Sequence, residues 1–149
     1  MEGREPGRSE LAEVAAGCAC RNVRRTARAV TQLYDETLRP SGLRITQFTL
    51  LVAVAVSEPV PITRLADALA LDRTTLARDL KPLTERGLAE VAAGDDRRTR
   101  VVRLTGQGRD AIGRAYPLWQ RAQARIVEGS PWQVLAGGLE EVAALALAT

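Results

Sequence analysis

Asp72-Arg73-Thr74-Thr75-Leu76-Ala77-Arg78-Asp79-Leu80-Lys81-Pro82-Leu83, continuing through Thr84-Glu85-Arg86-Gly87 into the run Leu88 to Thr105, is the stretch that decides the fold. At roughly 100° per residue, Leu76, Leu80 and Leu83 share one helical face, while Thr74, Arg78 and Lys81 share the far side. Asp72 has the chemistry of an N-cap, and Gly87 supplies a left-handed stop. Beyond it, two short apolar-rich runs enclose Gly94-Asp95-Asp96-Arg97-Arg98, the pattern of a hairpin with a basic tip.

Upstream, Thr63 is expected to cap a short helix from Arg64 to Ala70, with Leu65, Ala66 and Leu69 turned inward. The tight turn Leu71-Asp72 joins it to the arginine-threonine helix. Val60-Pro61-Ile62, placed between prolines, suits at most a short edge strand. Two short helices, a tight turn and a basic hairpin form a winged helix-turn-helix, and the arginine-threonine face suits duplex DNA. Thr46 is expected to cap the preceding helix, which carries Phe48, Leu51, Val52 and Ala55 and ends by Ser57-Glu58-Pro59.

Long amphipathic helices enclose this centre. Ser9 is expected to start one that runs to about Leu38, with Cys20, Val23, Ala27, Val30 and Tyr34 as its apolar stripe. Thr105 caps another to about Glu128, with Ile112, Tyr116, Trp119, Gln123 and Ile126 on its seam and Pro117 expected to kink it. Ser130-Pro131-Trp132-Gln133 reads as a capping box for a last helix bearing Leu135, Leu139, Val142 and Leu145. The expected fold is mainly α with a small β-hairpin wing, a winged helix-turn-helix core between N- and C-terminal dimerisation helices. Residues 1–8 form a polar, disordered arm, 9–44 the N-terminal dimerisation helix, 45–104 the DNA-binding region and 105–149 the C-terminal dimerisation helices.

Composition narrows the function. Aromatic residues make up only 3% of the 149-residue chain, so its core is built of Ala, Leu and Val, and alanine-rich helices gain area by packing on a second copy. The net charge is +3, the pI 9.4, and Lys81 is the sole lysine. Arginine suits phosphate and guanine contacts, although a GC-rich genome gives the same bias. The chain contains no histidine, and its two cysteines sit two residues apart, which argues against a zinc site, a His-based triad or any other enzyme. No catalytic residue, metal or cofactor is expected. No run approaches the ~20 apolar residues of a membrane span, and Met1 to Arg8 has no signal core. The expected setting is the cytoplasm, with Cys18 and Cys20 as thiols.

In these segments the chain resembles the MarR family of bacterial transcription regulators. Leu65 to Leu76 is similar to the family's pair of DNA-binding helices, and Leu80 to Leu88 to the lead into the wing. Asp96-Arg97-Arg98-Thr99-Arg100-Val101-Val102-Arg103-Leu104-Thr105 fits its D-x-R-x-x-x-V-x-L-T wing signature. The resemblance implies homodimers that assemble through the first and last two helices. Each winged helix meets one DNA half-site, and a ligand or oxidant changes the spacing of the two lobes.

Arg73, Thr74, Thr75, Arg78 and Lys81 are therefore expected at the major groove, the hydroxyls toward phosphates and Arg78 onto a guanine edge. In the wing, Arg97, Arg98 and Arg100 crowd the tip. By the family pattern Arg98 enters the minor groove, braced in itself or in its loop by Asp96. A solvated helix face and an ordinary charged turn are the plain alternatives.

Cys18 and Cys20 read either as structural thiols or as a redox sensor beside Arg21, Arg24, Arg25 and Arg28. Cys20 falls on the apolar stripe and Cys18 off it. Within one helix the two thiols point ~200° apart and cannot bridge. Tyr34, Phe48, Tyr116 and Trp119 are the aromatics available to line a ligand pocket, or simply to pack. The leading reading is a homodimeric, sequence-specific regulator of double-stranded DNA, a repressor released from an inverted-repeat operator by a small molecule. The alternatives are a thiol-based redox regulator and a winged-helix module for protein contacts or nonspecific nucleic-acid binding.

Overall fold

A computed structural model of the chain, which describes residues 4–96 and 98–148, contains seven helices and a small sheet among those residues. The order is α1 (Arg8–Gly17), α2 (Ala19–Leu38), a 3₁₀ turn (Arg39–Ser41), α3 (Ile45–Ser57), β1 (Val60–Pro61), α4 (Ile62–Ala68), α5 (Arg73–Glu85), β2 (Ala89–Ala93), β3 (Arg100–Leu104), α6 (Gly106–Gly129) and α7 (Trp132–Leu147). The chain divides into two compact units, one up to Leu33 and one from Tyr34 onward. The winged helix-turn-helix expected from the sequence is present in the second.

In the first unit the single N-terminal helix expected from Ser9 is two helices. Cys18 is extended, with φ −62° and ψ 111°, and breaks the run. Gly17 weakens the helix there, and side chains from the next turn satisfy the carbonyls that the break exposes. Arg21 donates to Ala15 O at 2.7 Å and Asn22 Nδ2 to Ala16 O at 3.2 Å. Gly7 rather than Ser9 is the N-cap, and its N–H donates to Glu10 Oε2 at 2.7 Å. Arg8, assigned to the polar arm, begins α1, and residues 1–3 of that arm lie outside the described residues.

In the second unit α3 is the central helix. Phe48, Leu50, Leu51 and Val54 are all buried, so it is apolar on more sides than the sequence stripe suggested. Leu65, Ala66, Leu76, Leu80 and Leu83 of α4 and α5 close over it, together with Leu88, Ala89, Val102 and Leu104 from the wing. α6 joins the same core through Ala111 and Ala115, each at most 1% exposed. The large residues of its expected seam, Ile112, Tyr116, Trp119, Gln123 and Ile126, are half-buried or exposed instead. Small alanines allow two helices to approach closely, and the bulkier side chains are left at the rim. The three strands are antiparallel in the order β1-β3-β2, with Val60 opposite Val102 and Val91 opposite Val102 on the other side. β1 is thus the short edge strand its prolines allow.

Several expected caps move. α3 begins at Ile45, not after Thr46: Asp35 Oδ1 accepts from Ile45 N–H at 2.7 Å and Gln47 Oε1 from Arg44 N–H at 3.1 Å. α4 begins at Ile62, so Thr63 lies inside its first turn. Ser130 caps no helix ahead of it; its hydroxyl donates back to Ile126 O at 2.7 Å.

The segment leaving α5, the wing and α6 meet at one junction. Thr105, the N-cap of α6, accepts from Gly108 N–H at 3.0 Å, and its hydroxyl donates to Gly87 O at 2.6 Å. Its own N–H donates to Leu88 O at 3.2 Å. Gly108 packs so tightly there that an added Cβ would stand 2.0 Å from Leu88 O. Beside it, Glu58 accepts from Leu104 N–H at 2.7 Å and pairs with Arg109. Burial acts to raise the Glu58 pKa, but the bonds from Leu104 and Arg109 and the charges of Arg109 and Arg103 outweigh it, and the carboxyl titrates below its ordinary range.

Candidate nucleic-acid interface

The presentation of α5 begins with how α4 ends. Leu71 N–H donates to Ala66 O at 2.9 Å and Ala70 N–H to Asp67 O at 3.1 Å, the paired bonds of a Schellman motif. The motif needs a left-handed residue, and here it is Ala70, at φ 51°. α5 closes in the same way around Gly87, at φ 66°, with Leu88 N–H on Leu83 O at 2.9 Å and Gly87 N–H on Thr84 O at 3.0 Å. The second motif turns Leu88 back onto the core, and each fixes the angle at which the next element departs.

Asp72 caps α5 as expected. Its Oδ1 accepts from Thr75 N–H at 2.9 Å and its Oδ2 from the Thr75 hydroxyl at 2.6 Å, and these bonds hold the carboxyl below its usual pKa. The Thr75 hydroxyl proton is therefore engaged within the protein, against the expectation that it faces a phosphate. Arg73, Thr74, Arg78 and Lys81 are all exposed. Arg78 Nε lies 3.7 Å from Asp79 and Lys81 Nζ 3.8 Å from Glu85, on side chains at least 73% exposed for both cations. Such surface pairs contribute about 0–1 kcal/mol, too little to prevent either cation from turning to another anion.

In the wing, Asp96 Oδ1 accepts from Arg98 N–H at 3.0 Å and Asp96 O from Thr99 N–H at 2.8 Å. Of the two expected roles for Asp96 it takes the second, bracing the loop backbone. Arg98 and Arg100 project from that fixed turn and are exposed; Arg97 lies outside the described residues. A cleft of about 290 Å³ between the wing and the helix-turn-helix is lined by Ile62, Thr63, Arg73, Arg98, Thr99 and Arg100. It brings together three arginines singled out in the sequence, with Thr63 as an unforeseen neighbour.

The remaining candidates do not form one site. The ring centroids of Phe48 and Trp119 are 6.2 Å apart and those of Trp119 and Tyr116 5.9 Å, a stacked row running from the core to the surface. Tyr34 stands in another pairing: its hydroxyl donates to Gln123 Oε1, and burial raises its pKa. Cys20, expected on the buried stripe, is exposed, as are Val23 and Ala27 of the same stripe in α2, and Cys18 is half-buried. Among the described residues no group of three His, Cys, Asp or Glu could hold a metal ion, and no single helix is long and apolar enough to cross a membrane.

A profile of the MarR family matches residues 41–99, the segment from the 3₁₀ turn into the wing. The M. tuberculosis transcriptional regulator MosR, solved in complex with DNA, is 38% identical, with a TM-score of 0.83 over 88% of this chain and 97% of that one. CouR from Rhodococcus jostii RHA1, solved bound to p-coumaroyl-CoA, is 26% identical, with a TM-score of 0.70 over 85% of this chain and 90% of that one. The Bacillus subtilis HTH-type transcriptional regulator YwoH is 28% identical over 83 residues, 56% of this chain, and the chain spans 61% of its length. With the winged helix in place and this degree of likeness along nearly its whole length, the chain belongs to the MarR family of DNA-binding transcription regulators.

Proposed function

We propose that the protein is a homodimeric, sequence-specific repressor that leaves an inverted-repeat operator when a small molecule binds. The observation that carries the DNA-facing part is the exposed face of Thr74, Arg78 and Lys81 on α5 beside a cleft that joins Arg73 to Arg98 and Arg100 of the wing. Such a surface suits a helix in the major groove and an arginine in the neighbouring minor groove. Dimerisation is supported by α7, which buries none of its residues and leaves Leu135, Leu139 and Val142 47–54% exposed at helical spacing. In the first unit Leu11, Val14 and Val23 are similarly exposed. The effector reading rests on the aromatic row Phe48–Trp119–Tyr116, whose outer ring is half-exposed, and on CouR as a relative with a bound thioester.

The test is fluorescence anisotropy with the DNA upstream of this protein's own gene against an unrelated duplex. A specific regulator binds its own site ~10³-fold or more tightly than the unrelated duplex. Arg98→Ala should weaken binding and lower the salt slope by about one unit per wing. Equal affinity for both duplexes would instead support the nonspecific-binding alternative.

The helix break favours a second reading, in which Cys18 and Cys20 sense oxidant. Outside a continuous helix the two thiols are no longer held on opposite faces. Peroxide would oxidise one thiol to a sulfenic acid and release water. The second thiol would displace a further water to close a disulfide, two electrons passing from the thiols to the peroxide. Loss of tight DNA binding on peroxide treatment, restored by dithiothreitol and absent in Cys18→Ser, selects this reading over a small-molecule inducer.

A further inference from the structure

An α-helix with its side chains is about as wide as the major groove, so the two phosphate strands lie against whatever flanks it. On α5 the core leucines Leu76, Leu80 and Leu83 define the inward direction, and Thr74, Arg78 and Lys81 point away from it. At roughly 100° per residue, Arg73 stands on one flank of that outward face, and Pro82 and Asp79, about 180° and 240° around the helix from it, stand on the other. Each flank opens into a cleft. The wing-side cleft carries Arg73, Arg98 and Arg100. The opposite cleft, about 350 Å³, is lined by Arg44, Thr46 and Gln47 at the start of α3 and by Arg78, Asp79 and Pro82 of α5.

We propose that Arg44, which the DNA-facing set above does not include, grips a backbone phosphate of the strand lying on the side of α5 away from the wing, with Thr46 and Gln47 as neutral neighbours. The inference rests on the DNA-binding reading above and extends its footprint to α3. Arg44 is exposed and forms no ion pair among the described residues. The one carboxylate on the cleft wall, Asp79, faces Arg78 at 3.7 Å, so the wall carries a net single positive charge, the amount that one phosphodiester neutralises. The N–H groups of Arg44 and Ile45 are already taken by Gln47 and Asp35. The site therefore stands on its side chains and not on the helix end.

The experiment is a salt titration of full-length wild type, Arg44→Ala and Arg44→Lys by anisotropy, on the upstream duplex and on an unrelated duplex of equal length. Each lost phosphate contact lowers the slope of log K against log salt by about 0.9, hence by about 1.8 for a dimer. Between 50 and 200 mM salt the ratio of wild-type to Arg44→Ala affinity should therefore fall about 12-fold, equally on both duplexes. Arg44→Lys should restore the slope, because a phosphate accepts a point charge, and this guards against a folding defect in the alanine variant. An unchanged slope for Arg44→Ala, beside a wild type that binds with normal salt dependence, overturns the assignment. A loss confined to the upstream duplex would make Arg44 a reader of bases and overturn it too. If the wild type binds neither duplex, the DNA-binding reading itself fails, and this extension fails with it.

Discussion

Replacing Gly108 by alanine tests the junction that ties the winged helix to α6. The new Cβ would meet Leu88 O at 2.0 Å, so α6 or the backbone at Leu88 must give by about 1 Å, since neither atom belongs to a flexible side chain. Overpacking of this kind costs about 1–3 kcal/mol. The movement also strains the Thr105 N–H bond to Leu88 O, already 3.2 Å long and worth about 1 kcal/mol. Against this stands the helix preference of alanine over glycine, about 0.5–1 kcal/mol. The net loss is about 1–3 kcal/mol, which at about 2–4 °C per kcal/mol lowers the melting temperature by roughly 3–10 °C. Gly113 is the internal control: it lies in the same helix, with nothing within 4 Å of its Cβ position. Gly113→Ala should gain the helix preference alone and melt about 1–4 °C higher. Both variants and the wild type are melted at one protomer concentration, because the stability of the proposed dimer would depend on it. If Gly108→Ala rises with Gly113→Ala, the close approach at Leu88 is not a constraint and the junction is looser than described.

Ala70→Gly should stabilise the protein by about 0.5–1 kcal/mol, because glycine adopts the left-handed conformation of Ala70 without its steric cost; a fall in urea midpoint contradicts the Schellman assignment. Glu58→Gln should cost about 1–2 kcal/mol at pH 7 by removing a charge-assisted bond to Arg109. The Glu58 pKa is lower folded than unfolded, so its stabilisation is complete above the ordinary carboxyl range and is lost as pH falls through the folded value. Wild-type and variant stabilities should therefore converge in acid, and a gap that persists once the pH has fallen through the folded Glu58 value would assign the loss to packing. Leu139→Asp, at an exposed apolar position of α7, should yield monomers by sedimentation and weaken DNA binding at the same time; a tight monomeric binder removes the two-half-site reading.

The features legible in the sequence were those written in local chemistry. Asp72, Gly87 and Thr105 each carry a side chain, or lack one, in a way that only a helix end requires, and all three act where expected. The leucine and arginine phases of α5 follow from helical geometry alone. What escaped the sequence depends on neighbours far along the chain. Tyr116 and Trp119 appeared to be the seam of α6 because size usually predicts burial, yet the tight approach to α3 selects Ala111 and Ala115. Ala70 has no signature of a left-handed residue; the bonds around it impose the conformation. The break at Cys18 lay hidden because Gly17 interrupts neither the apolar spacing nor the run of helix formers around it. In the candidate site, Arg98 and Arg100 were readable from the hairpin pattern. Arg44 was not, since only the packing of α3 beside α5 brings it to the flank of the DNA-facing helix.

The bonds that Thr105 and Glu58 make at the head of α6 turn that helix into a lever. Its 24 residues span about 36 Å, and its near end is fastened to Gly87 and Leu88, just beyond α5, and through Glu58 to Leu104 in the final strand of the wing. The DNA-reading parts are thus bolted to the rod and not hung from it by a flexible loop. A tilt of only about 5° about the far end would swing this head by about 3 Å, close to the 3.4 Å rise from one base pair to the next. In the proposed dimer, a small molecule wedged against α6 would not need to distort a single arginine to spoil recognition; it would have only to set two intact readers one step out of phase with the same groove.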